Sequence, residues 1–137
     1  MLWGGGTTDA QDAQRLQAFE NLSTTPMYVL GYEEPDCPSG SGSAGMSVQD
    51  GVKKWEELIA PMGKKGAKLG SPSMCSARRF LFICAGSEVY LISEQADETW
   101  LKQFVAANPV PFDFTAIHIN KNNMDGVRKD LVSPTKL

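Results

Sequence analysis

The sequence holds one histidine, three cysteines and no CxxC pair. Metal sites built from imidazole and thiolate need several such ligands at close spacing, so no metal is expected. Basic residues are also sparse: thirteen Lys and Arg stand against sixteen Asp and Glu, giving a formal net charge of -3, with no cluster suited to neutralising phosphates. Nucleic acid is therefore not an expected partner. Neither GxGxxG nor a P-loop occurs, and no cofactor is expected. The longest apolar stretch, Phe80 to Ile92, is broken by Gly86-Ser87-Glu88 and falls well short of the ~20 residues that span a bilayer. No membrane partner is expected either. The run Met1-Leu2-Trp3-Gly4-Gly5-Gly6 lacks the basic stretch and apolar block of a secretory signal, so the chain as written is expected to begin inside a fold and not to be exported.

What is present fits one compact domain: 137 residues, 42% of them hydrophobic and 21% charged. Thr7-Thr8-Asp9 offers hydroxyl caps and an acid in the first turn, and Ala13, Leu16 and Phe19 follow at helical spacing, which predicts a helix to about Asn21. Met27-Tyr28-Val29-Leu30-Gly31-Tyr32 is short, apolar and rich in β-formers, the pattern of a strand buried on both faces. After a Gly/Ser loop from Pro38 to Gly45, Ser47 and Asp50 have capping-box spacing. Val48, Val52, Trp55, Ile59 and Met62 then form an apolar stripe, and Pro61 and Gly63 are expected to end that second helix. Ala67 to Pro72 predicts a brief strand. Gln95 to Ala107 predicts a third helix with Ala96, Trp100, Leu101, Phe104 and Val105 facing inward, and Phe112 to Asn120 a further strand. Such alternation argues for parallel βα units and an α/β class, open or closed into a barrel.

In parallel α/β proteins the active face lies at the carboxyl ends of the strands. Here those ends carry Trp3, Glu33-Glu34, Ser71 to Ser73, and His118 with Asn120, a set able to bind hydroxyls and stack on sugar rings. Glycoside hydrolysis needs two carboxyl groups across the scissile bond, about 5 Å apart for retention and roughly 6.5 to 9.5 Å for inversion. Glu33 and Glu34 are adjacent; if the strand persists through them their side chains point to opposite faces, and a partner must come from elsewhere.

Gly31-Tyr32-Glu33-Glu34-Pro35-Asp36 resembles the strand-end motif of glycoside hydrolase family 128, the fungal alkali-sensitive-linkage type of glycosyl hydrolase. Leu2-Trp3-Gly4-Gly5, Leu69-Gly70-Ser71-Pro72-Ser73 and Ala116-Ile117-His118-Ile119-Asn120 are similar to the ends of neighbouring barrel strands in that family. The resemblance covers most of residues 1–75 and 95–131. It implies part of a (β/α)8 TIM barrel, roughly strands 3 to 6 with their helices, from a retaining enzyme of extracellular or cell-wall β-1,3-glucan. Glu34 matches the general acid/base. Trp3 and His118 match residues facing the sugar, with Asn120 a weaker match. Glu33 stands where related barrels often have Asn. The implied partner is a β-glucan polysaccharide or oligosaccharide. Cys37 and Cys75 would both follow neighbouring strands, where a disulfide and two free thiols are alternatives.

The family's nucleophile segment at the seventh strand and its first two strands have no counterpart here, so this chain is expected to lack hydrolytic activity. Residues 76–94 and 132–137 do not fit the family and read as translated introns. An ordinary β-hairpin through Gly86-Ser87 is the alternative for the first of these. Two other functions compete with a hydrolase fragment: a carbohydrate-binding module without catalysis, and an unrelated small α/β domain.

Overall fold

The structure is a computed structural model and describes residues 1–39, 42–75, 98–116, 123–125 and 128. The elements run α1 (Ala10–Glu20), β1 (Tyr28–Leu30), α2 (Val48–Lys54), a π-helical turn (Trp55–Ile59), α3 (Ala60–Lys64), β2 (Lys68–Gly70) and α4 (Glu98–Ala107). This is the mixed helix and strand order that the alternation predicts. The predicted strand from Phe112 is described only to Ala116, where Phe114 bridges Gly70 in parallel. His118, Asn120, the 76–94 segment, the 132–137 tail and Ala96 lie outside the described residues.

β1 and β2 pair in parallel with Tyr28 opposite Lys68 and Leu30 opposite Gly70. Three residues beyond, Glu33 bridges Ser73 in the same sense. Leu2 donates to the Leu30 carbonyl (3.4 Å) and Glu33 donates to the Trp3 carbonyl (3.1 Å), so the first residues run beside β1 in the same direction. Four extended segments thus lie side by side in chain order, and among the described residues two of them form a regular sheet.

The second helix starts where expected, the first is capped by the acid Asp9 rather than by a Thr hydroxyl, and the expected start of the third at Gln95 lies outside the described residues. Asp9 caps α1 by accepting from the Asp12 N–H (2.8 Å), and Ser47 caps α2 by accepting from the Asp50 N–H (3.1 Å). The Asp50 carboxylate accepts from the Ser47 hydroxyl (2.7 Å), in place of the Ser47 backbone N–H that the longer Glu of a full capping box would reach. The predicted stop at Pro61 and Gly63 is corrected: the helix passes through both to Lys64. The Ala60 N–H reaches back five residues to the Trp55 carbonyl, and this widened turn comes just before Pro61, which has no N–H and whose ring crowds the carbonyl four residues back in a regular helix. Gly66, at φ +100, makes the turn into β2.

Trp55, Ile59 and Met62 are buried as the stripe predicts, and Val48 and Val52 are half-buried. Trp55 sits edge-on to both Tyr32 and Phe104, and its indole N–H donates to the Val110 carbonyl (2.9 Å). Trp100 stacks on Phe104 and donates to the Met46 carbonyl (2.8 Å), so neither buried indole N–H is left unmade. The Tyr32 phenol, donating to the Gly51 carbonyl (2.9 Å), is pushed well above its ordinary pKa, first by burial and then by the charge of Glu57.

Two expectations of burial are corrected. Val105 is 41% exposed: α4 buries Trp100, Leu101 and Phe104, with Trp100 against Gly51 of α2 and Phe104 against Trp55, and Val105 falls beside that face. Met27 and Tyr28 are 71% and 61% exposed, so β1 is buried from Val29 onward rather than on both faces throughout. Tyr28 still meets Phe114 edge-on.

The Asp113 carboxylate accepts from the Leu69 N–H (2.8 Å) and from Lys68 Nζ (2.9 Å), joining the last segment to β2. Its pKa lies below the ordinary value, the Leu69 N–H being the larger cause and Lys68 the next. A depressed carboxylate pKa contributes stability above the unfolded value and loses it as the pH falls through the folded one. Thermal unfolding of the wild type is therefore expected to show a small extra loss of stability below about pH 4, and Asp113→Asn is expected to lose that increment.

A side chain at Gly51 would meet the Trp100 ring at 2.9 Å, and that rigid ring has little room to yield. Gly51→Val is expected to cost about 1–3 kcal/mol of stability through overpacking, read as a lower urea midpoint, with Gln49→Ala on the exposed face as the neutral control.

Candidate functional site

The strand ends are shaped by their connections. Asp12, fully buried, accepts from the backbone N–H groups of Gly4 (2.8 Å), Gly6 (2.8 Å) and Thr8 (3.1 Å). This carboxylate folds the glycine run back onto α1 and sets Trp3 at the end of the first segment. A Cβ at Gly4 would collide with Thr8 Oγ1 and the Asp12 carboxylate, so the tight approach needs glycine there. The Trp3 indole donates to the Gly42 carbonyl (2.6 Å), and the Arg15 guanidinium lies over its ring, 4.2 Å from the centroid.

Glu33 and Glu34 leave the strand differently. Glu33 stays extended in its bridge with Ser73, whose hydroxyl lies 3.0 Å from the Glu33 carboxylate and 3.2 Å from the Tyr32 carbonyl. Glu34 has φ +47, the left-handed region that non-glycine residues seldom occupy. The strand does not persist through both, so simple alternation of faces does not apply. The turn is held by the Glu34 N–H donating to the Ser73 carbonyl (2.7 Å) and by the Cys37 N–H donating to the Glu34 carbonyl (3.3 Å). The Glu34 carboxylate accepts from the buried Ser43 hydroxyl (2.5 Å).

Trp3 and Glu33 line one cleft of about 320 Å³ with Met1, Arg15 and Gly42. Glu34 sits beside it, tied to Ser43 rather than among the cleft-lining residues. The structure thus gathers Trp3, Glu33 and Glu34 at one end of the parallel segments. Sequence reasoning missed Ser43 and Arg15. Ser43 lay in a stretch legible only as a Gly/Ser loop, and Arg15 is one exposed helix residue among several; no pattern in the chain marked either. Among the described residues no group of three His, Cys, Asp or Glu side chains could hold a metal, and no helix is long and apolar enough to cross a membrane.

Of the two alternatives for Cys37 and Cys75, the disulfide is the one formed, with a Cα–Cα distance of 5.8 Å. The Cys75 N–H also donates to the Asp36 carboxylate (2.8 Å), so the loops after β1 and β2 are joined twice beside Glu34.

Parallel strand and helix units that present carboxylates, hydroxyls and an indole at their carboxyl ends define an α/β protein with a polar face suited to hydroxyl-bearing ligands. Residues 1–136 match the family described as "Glycosyl hydrolase catalytic core", and the chain belongs to that family. Its solved relatives are proteins of glycoside hydrolase family 128, as the motif at Glu34 implies. The chain is similar to a subgroup VII oligosaccharide-binding protein from Trichoderma gamsii, with 49% identity and a TM-score of 0.73 over 96% of this chain and 44% of that one. It is also similar to a subgroup VII oligosaccharide-binding protein from Cryptococcus neoformans, with 42% identity and a TM-score of 0.74 over 96% and 45%. A subgroup II endo-beta-1,3-glucanase from Sorangium cellulosum follows, with 25% identity and a TM-score of 0.53 over 87% and 41%. The chain spans less than half the length of each. Comparison with curated proteins gives no match.

The disulfide closes a loop across a sequence separation of 38. Cys37→Ser with Cys75→Ser is expected to lower stability by about 2–4 kcal/mol, measured as a shift in the urea midpoint, and dithiothreitol is expected to bring the wild type to the same midpoint.

Proposed function

We propose that this chain is an oligosaccharide-binding member of glycoside hydrolase family 128 whose ligand is a β-glucan oligosaccharide. The observation that carries this reading is its 49% and 42% identity, over 96% of its length, to two oligosaccharide-binding proteins of that family. The chemistry of the strand-end face agrees. Sugar hydroxyls donate and accept, and Glu33 and Glu34 offer acceptors whose geometry is fixed by Ser73 and Ser43. Trp3 supplies the flat apolar surface on which a pyranose ring rests. In the same proposal the four parallel segments are consecutive strands of a partial (β/α) barrel, residues 1–131 are its domain, interrupted by an insert at about 76–94, and the ligand is met outside the cell or in the cell wall.

A second reading, retaining hydrolysis of β-1,3-glucan with Glu34 as general acid/base, is favoured by the likeness to the Sorangium enzyme. It needs an opposing carboxylate. Glu33 is adjacent in the chain and bonded to Ser73, and Asp36 accepts from Cys75, so neither is placed by its contacts as an opposing partner.

Calorimetric titration of the full chain with laminari-oligosaccharides, beside reducing-sugar release from laminarin, separates the two. Saturable binding without sugar release is expected, and Glu34→Gln is expected to weaken that binding about tenfold by removing one charged acceptor. Sugar release abolished by Glu34→Gln would replace this reading with the hydrolytic one.

A further inference from the structure

The cleft beside Glu34 contains a cation that the strand-end motif does not account for. Arg15 lies on α1 one turn after Asp12, the residue that locks this helix to Gly4 and Gly6. Its guanidinium is stacked 4.2 Å from the Trp3 centroid, and Trp3 is itself fixed by its bond to the Gly42 carbonyl. With its carbon over the indole, the guanidinium brings its fork of N–H donors beside Trp3. Those donors border the same cleft of about 320 Å³ that Glu33 lines, a volume within the range of small-ligand sites.

Building on the oligosaccharide reading, we propose that Arg15 is a ligand-binding residue, donating from its place on Trp3 to a neutral sugar unit in this cleft while Glu33 accepts from that unit's hydroxyls. The pairing of charges sets the class of sugar. A uronate would gain from Arg15 and be repelled by Glu33, whereas a neutral hexose presents oxygens to the one and hydroxyl protons to the other. Arg15 already lies over the Trp3 ring, so the sugar meets the guanidinium as well as the indole. The subsite is therefore polar where a bare tryptophan platform would be apolar.

The test compares the full-length wild type with Arg15→Met and Arg15→Lys, by calorimetry with laminaritriose and laminarihexaose. Arg15→Met keeps an unbranched stem over Trp3 and removes the donors; because Arg15 is exposed, its melting temperature is expected to match the wild type. Affinity is expected to fall at least tenfold in Arg15→Met, the size of one charge-assisted hydrogen bond. Arg15→Lys is expected to recover only a small part, since an ammonium lacks the flat fork. Ligand is also expected to change tryptophan emission through Trp3, because Trp55 and Trp100 are buried with their N–H groups bonded internally. Unchanged or tighter binding by Arg15→Met would overturn the role of Arg15 and leave the oligosaccharide reading standing. Tighter binding of an oligogalacturonate than of laminarihexaose would overturn the neutral class. A folded wild type that binds none of these sugars would overturn both readings together.

Discussion

The buried carboxylate of Asp12 is the contact on which the strand-end face depends. A charge removed from water is tolerated only where dipoles replace the lost hydration. Here three backbone N–H groups, from Gly4, Gly6 and Thr8, supply that replacement. The arrangement works in both directions, because a glycine run has no side chains with which to define its own path, and Asp12 gives it one. Once the run is folded, Trp3 is placed for its carbonyl to accept from Glu33, Thr8 for its hydroxyl to donate to the Ala44 carbonyl (3.2 Å), and Gly5 for its carbonyl to accept from Lys54 (2.7 Å). The first segment, α1, the loop before α2 and α2 itself are joined through this one turn.

The second constraint is the parallel register. Pairing Tyr28 with Lys68 brings Glu33 level with Ser73, and the chain must then turn sharply to avoid running on as an edge. It does so at Glu34, whose left-handed backbone costs roughly 1–2 kcal/mol for a residue with a Cβ. The Ser73 carbonyl, the Cys37 N–H and the disulfide just beyond hold that conformation. A strained residue held from several sides at a strand end is the kind of outlier that points to function.

How much of this was legible follows from which interactions leave a periodic mark. Helix starts at Asp9 and Ser47 were readable because a cap is a local side-chain event, and the stripe of Trp55, Ile59 and Met62 was readable because burial repeats with the helix. The passage through Pro61 was not, since the widened turn that makes room for its ring lies in the residues before it and leaves no mark in the apolar pattern. Asp12 sits where an acid is expected in a first helical turn, so its burial among glycine N–H groups had no separate signal. Val105 was misjudged because apolar character alone does not distinguish the centre of a helix contact from its flank. At the site, Glu33 and Glu34 were found by motif. The positive φ of Glu34 and its bond to Ser43 depend on Ser73 and the disulfide, which lie across the fold rather than along the chain.

The proposed oligosaccharide binding would draw on the same contacts. A glycosidase acid/base must exchange a proton with the leaving group and act against a second carboxylate across the bond. At Glu33 and Glu34 the carboxylates are bonded within the fold, one to Ser73 of the neighbouring segment and the other to Ser43, with the disulfide joining the loops after β1 and β2. Such fixing lowers the entropy lost when hydroxyls are bound, since the acceptors are already ordered. On the proposed reading, a face of rigid acceptors beside an indole and a guanidinium would favour recognition of sugar, and selection for that recognition would preserve the turn at Glu34 as firmly as selection for turnover.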